Sequence, residues 1–78
     1  MSNCKIDHSL EDVYLKLKEQ KSFLPESLYL SSGRLLTENP NQEVLNELFH
    51  LLKKYDLSSK EIRNERNIKL KELTRVEQ

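Results

Sequence analysis

Apolar residues recur along this chain every three or four positions, the spacing that gathers them on one face of an α-helix. The pattern runs longest from Val44 to Tyr55, V-L-N-E-L-F-H-L-L-K-K-Y. At about 100° per residue, Val44, Leu45, Leu48, Phe49, Leu51, Leu52 and Tyr55 fall within an arc about 160° wide, and Glu43, Asn46, Glu47, His50, Lys53 and Lys54 fill the remainder. One neighbouring helix cannot cover so wide an arc. The pattern therefore predicts a central helix over 40–55, wrapped by the segments on either side of it. Its start is set by Asn39 as N-cap, Pro40 at the first helical position and Gln42 at the capping-box position.

A first helix is predicted over 10–22. Ser9 precedes it and Asp12 follows three positions on, so the serine oxygen is placed to accept an orphan backbone N–H. Leu10, Val13, Tyr14, Leu17 and Leu24 share its inner face. Pro25 lacks an N–H and restricts Leu24, so it divides this helix from a second over 25–37. There Leu28, Ser32, Leu35 and Leu36 face inward with Tyr29 at the margin. Ser31, Ser32 and Gly33 weaken the segment, and Leu28 and Leu30 alternate as in a strand; with no second strand to pair it, a helix is the expectation. The small residues would let another backbone approach, which puts the crossing with the central helix at that point.

The fourth helix is predicted over 59–76, opening on Ser58 and Glu61 as an S-x-x-E box with Leu57 and Ile62 as its hydrophobic staple. Ile62, Leu70, Leu73 and Val76 share a face with Arg66 and Lys69. No apolar residue occurs between Ile62 and Ile68, so the helix is expected either to run free of the body there or to be interrupted. The fold class that follows is all-α, a single small domain over 1–78, with four helices packed around the third and with residues 1–8 fraying.

Composition agrees with a helical reading. Of 78 residues fifteen are leucine, alanine and tryptophan are absent, and Gly33 is the single glycine, which leaves little from which to build tight hairpins. A chain this short buries only about 60% of its unfolded surface, so its core is small. The formal net charge is zero, which argues against a chain given over to coating nucleic acid or an acidic membrane. The charge is uneven, however: residues 1–52 hold five Lys/Arg against eight Asp/Glu, and residues 53–78 hold eight against five, giving −3 and +3. Such an arrangement suits helices that complement one another head to tail, or a solvated face.

Candidate chemistry is sparse. Cys4 is the one cysteine, so no internal disulfide and no zinc quartet forms, and a reducing compartment is the simplest setting. Cys4 and His8 are spaced to meet one metal ion, but two ligands are half a site, and His50 falls on the polar arc of the central helix. Residues 1–25 lack the basic start and apolar core of a signal peptide, and no window matches a membrane span, so a cytoplasmic setting is expected. No carboxylate pair in an apolar setting, Ser/His/Asp group, phosphate loop or H-E-x-x-H appears, and neither enzyme activity, cofactor nor metal is expected.

Lys60 to Arg75, K-E-I-R-N-E-R-N-I-K-L-K-E-L-T-R, also lays onto a helix-turn-helix pattern. Ile62, Ile68 and Leu73 would pack, Asn67 would take the left-handed turn, and Lys69, Lys71 and Arg75 would face the major groove. Arg63 stands where a small residue belongs, Arg66 stands where an apolar one belongs, and no cap opens a helix near Lys69. One continuous charged helix is the expected reading, with DNA binding through 60–75 as the alternative. Four apolar residues remain off the main stripes: Leu15, Phe23, Leu30 and Ile68. If they cluster they mark a second buried surface, and they point to a non-enzymatic interaction module or small regulator that binds a protein partner or itself as a homodimer.

Overall fold

Side-chain caps decide where three of the helices begin. Ser9 accepts a hydrogen bond from the backbone N–H of Asp12 at 3.0 Å, Asn41 accepts one from Val44 at 2.9 Å, and Ser59 accepts one from Ile62 at 3.2 Å. The computed structural model describes residues 7–75. Among the described residues the elements are α1 (Leu10–Glu19), α2 (Glu26–Thr37), α3 (Gln42–Leu52), a 3-10 turn over Tyr55–Leu57 and α4 (Lys60–Leu73), with no strand. This is the all-α four-helix bundle that the periodicity predicts, α2 included.

α1 packs on α3 and α2, and α4 packs on the same two helices, so the bundle closes as a ring in the order α1, α2, α4, α3. The core is continuous: Val13 and Leu17 from α1, Leu24 from the first connection, Leu28 and Leu36 from α2, Leu45, Leu48, Leu51 and Leu52 from α3, then Tyr55 and Leu70. α3 supplies more of it than any other helix, as its wide apolar arc requires. Leu10 and Tyr14, expected on the inner face of α1, stay partly open to solvent at its edge, where the Lys18 ammonium lies 5.5 Å from the Tyr14 ring centroid.

Several boundaries differ from the sequence reading, each for a local reason. α1 ends at Glu19 because Gln20 turns inward: its Nε2 donates to Asp56 Oδ1 and its Oε1 accepts from the Asp56 N–H, both at 3.0 Å. α2 starts at Glu26, with Pro25 in the N-cap position rather than the first turn. Asn39 does not cap α3. It takes a left-handed conformation at φ 57°, which asparagine tolerates, and the capping role passes to Asn41, leaving Pro40 in the connection. α3 ends at Leu52 because Lys54 is also left-handed at φ 57°; the chain then re-enters as the 3-10 turn that buries Tyr55. That turn moves the next cap on by one residue, from Ser58 to Ser59. The Ser58 hydroxyl donates instead to the Lys54 carbonyl at 2.9 Å, and Leu57 is 76% exposed, so no staple forms with Ile62.

The small residues of α2 are not where it crosses α3, for the two stand diagonally across the ring. Ser32 is fully buried and its Oγ has no hydrogen-bond partner among the described residues, while a Cβ built on Gly33 would meet nothing within 4 Å. Gly33→Ala should therefore stabilise the protein by about 0.5–1 kcal/mol through helix propensity and a less flexible unfolded chain. A thermal melt should show the transition ~4–8 °C higher per kcal/mol; an unchanged or lower midpoint would mean that the neighbouring helix comes closer than it does here.

α4 is a single helix through Asn67, neither free nor interrupted in its polar stretch. Arg63 donates from Nε to the Tyr55 carbonyl at 3.1 Å and from Nη2 to the Asp56 carbonyl at 2.7 Å, and Arg66 donates from Nη1 to the carbonyls of Leu51 at 3.3 Å and Lys53 at 2.6 Å. The run without apolar residues is thus packed against the end of α3. It supplies donors for carbonyls at the end of α3 and in the turn, of which the Tyr55 carbonyl also accepts from the Ser58 N–H at 3.1 Å, with positive charge at the negative end of the α3 dipole.

Candidate functional site

α3 buries its apolar arc and turns the opposite stripe outward. Along that stripe come Glu43, Asn46, Glu47, His50 and, just past the last turn, Lys53. With α4 alongside, the stripe becomes one side of an open groove of about 910 Å³, which Ile62, Glu65, Arg66 and Lys69 border from α4. Among the described residues the one ion pair is Lys16 with Glu19 on α1, at 3.0 Å. Glu43, Glu47, Glu65, Lys53 and Lys69 therefore share the groove without forming an ion pair among the described residues.

The opposite border is the segment before α1. Asn46 Oδ1 accepts from the His8 N–H at 2.9 Å and from Gln42 Nε2 at 3.0 Å, Asn46 Nδ2 donates to Asp7 Oδ1 at 3.1 Å, and Gln42 Nε2 donates to the His8 carbonyl at 2.7 Å. The His8 ring stacks on Phe49, with centroids 3.6 Å apart and planes 8° from parallel, and meets His50 edge-on at 5.9 Å. Lys16 Nζ lies 5.6 Å from the same Phe49 centroid. Asp7 and His8 are thus held to α3 rather than frayed; residues 1–6, the rest of the expected loose start, lie outside the described residues. So does Cys4 with its suggested link to His8. Among the described residues no three His, Cys, Asp or Glu side chains are grouped to hold a metal ion, and no helix is long and apolar enough to cross a membrane.

Leu15, Phe23, Leu30 and Ile68 are exposed by between 46% and 61%. They leave the bundle on different elements: Leu15 on α1, Phe23 in the α1–α2 connection, Leu30 on α2 and Ile68 on α4. α1 and α4 are diagonal in the ring, so the outward faces carrying Leu15 and Ile68 look away from each other. Leu30 borders a depression of about 270 Å³ with Tyr29 and Lys21, and Ile68 borders another of about 240 Å³ with Pro25 and Leu28.

The helix-turn-helix reading needs a turn at Asn67, and that residue is helical, its Oδ1 accepting from the buried Tyr55 hydroxyl at 2.6 Å. Arg63 and Arg66, the two ill-fitting residues of that pattern, are tied to backbone carbonyls instead. Lys69 borders the α3–α4 groove, whereas Lys71 borders the α2–α4 depression, so with Arg75 they do not form one reading face.

The sequence marks His8 only as a candidate ligand beside Cys4 and does not show its contact with Asn46. No local signal marks that contact, because its partners lie 38 residues apart. Arg63 and Arg66 did carry one: two arginines a turn apart, directly after a capped helix start, in a stretch with no apolar contact of its own.

No protein-family model, no curated protein and no solved structure matches this chain.

Proposed function

We propose that this chain is a non-enzymatic helical interaction module or small regulator, acting in the cytoplasm by binding a protein partner, a second copy of itself included. The observation that carries the reading is the set of large apolar side chains left outside a small core, Leu15, Phe23, Leu30 and Ile68, each about half exposed or more. Full burial of a fully exposed apolar side chain contributes roughly 1.5–3 kcal/mol, so positions about half exposed forgo about half of that, and in a bundle with few core residues they favour association. The charged groove between α3 and α4 adds polar contacts at which a partner gains register and specificity. The lone cysteine supports a reducing compartment.

The test is a pull-down with the intact chain, comparing the wild type with Leu15→Glu, Leu30→Glu and Ile68→Glu, alongside light scattering of each over a concentration range. The reading expects at least one of these changes to reduce partner capture or self-association by about tenfold, the usual scale for an interface anchor. Wild-type chain that retains no protein and stays monomeric at high micromolar concentration would overturn it.

A further inference from the structure

We infer that the outward stripe of α3 is a self-complementary docking surface, and that its occupant is the same stripe of a second copy lying antiparallel to it. This rests on the interaction-module reading and specifies the partner and the surface.

The charges of the stripe are ordered. From the start of α3 they run Glu43, Glu47 and Lys53, with the His50 imidazole before the lysine, acidic at one end and basic at the other, and all four side chains are exposed. At 1.5 Å per residue, Glu43 and Lys53 stand about 15 Å apart along the axis. A two-fold axis at the level of Leu48 reverses the order, setting Glu43 against Lys53 of the second copy and Glu47 within one residue, about 1.5 Å of rise, of His50 of the second copy. One axis serves both pairs and produces each twice, as an isologous contact does. A parallel copy would instead place acid on acid and base on base. No ion pair among the described residues already engages these groups, so docking need not break one. From α4, Glu65, Arg66 and Lys69 add one acidic and two basic side chains to the same groove, with Arg66 tied to the Leu51 and Lys53 carbonyls. The chain as a whole is neutral, so two copies approach without net repulsion.

The apolar residues available in the groove are few: Ile62 is partly exposed and Leu51 is almost buried. Charge pairing with little apolar burial gives a reversible dimer whose association weakens as salt rises.

Sedimentation equilibrium of the full chain tests this, using the wild type, Glu43→Lys, Lys53→Glu and the double variant Glu43→Lys/Lys53→Glu, at low and high salt. Circular dichroism of each confirms folding. Each single reversal should weaken self-association by about tenfold at low salt, and the double reversal should return it to within about threefold of wild type. Loss of folding cannot produce that recovery, because the double variant carries both unfavourable changes. A dimer indifferent to all three variants, or a double variant no better than the singles, overturns the assignment of this surface while leaving an interaction module intact. A wild type monomeric throughout overturns it too; if that monomer still loses capture of a protein partner on Leu15→Glu, Leu30→Glu or Ile68→Glu, the function stands without the self-docking.

Discussion

Leu52→Ala is expected to cost 2–5 kcal/mol, the range for truncating a fully buried leucine where the surroundings close only partly over the cavity. At roughly 0.05–0.15 kcal/mol per residue, a chain of 78 residues has on the order of 4–12 kcal/mol of stability in all. The change removes a large part of that, and the thermal midpoint should fall by at least ~10 °C or the cooperative transition should disappear. Leu57→Ala is the matched control. It deletes the same atoms five residues on, from a side chain 76% exposed, and should stay within about 0.5 kcal/mol of wild type. Equal effects at the two positions would contradict the placement of Leu52 in the core that the ring of helices encloses, because that placement is what separates them.

The contrast between Leu52 and Leu57 also marks what periodicity carries. A helix buries a face, so the interval between leucines determines which of them are inside. Leu45, Leu48, Leu51 and Leu52 could be assigned to the core without coordinates. Leu57 belongs to no such series, and the sequence reading gave it a staple because Ser58 resembled a cap. The shift of the cap to Ser59 follows from Lys54 adopting a left-handed conformation, which nothing in lysine's side chain announces. Asn39 and Asn41 illustrate the same limit. Both types cap helices and both tolerate left-handed φ, so composition names the pair of jobs and not which residue takes which.

Periodicity is blind in a different way to polar residues that bury their hydrogen bonds rather than their carbon. Asn46 lies on the polar arc of α3, where periodicity places a residue in solvent, yet it ties down the segment before α1 because Asp7 and His8 arrive there from far along the chain. The exposed apolar set shows the complementary case. That Leu15, Leu30 and Ile68 lie off their stripes is arithmetic on sequence, but whether they share a surface depends on the order of helices around the bundle. With α1 and α4 diagonal, Leu15 and Ile68 do not. The ordered charges of α3 were legible from the start, as the polar arc of one helix. Their relevance came from α4 and His8 leaving that arc open as a groove rather than covering it.

Arg63→Met should be the most damaging change to a polar side chain, at about 2–4 kcal/mol, because the guanidinium connects three things at once. It donates to the carbonyls of Tyr55 and Asp56, and it lies 5.5 Å from the Tyr55 ring centroid over a tyrosine that is itself buried. Hydrogen bonds from a charged donor contribute about 1.5–3 kcal/mol each where water is partly excluded, and part-buried carbonyls that lose such a donor incur a desolvation cost. Methionine keeps the length and most of the packing of the stem, so the loss reports on the donors and the charge. Arg63→Lys is the discriminating variant: an ammonium keeps the charge but cannot present two donors in a fixed plane, and it should recover less than half of the lost stability in urea unfolding. Full recovery by lysine would show that the charge at the end of α3 is what matters and that the two-pronged geometry is incidental.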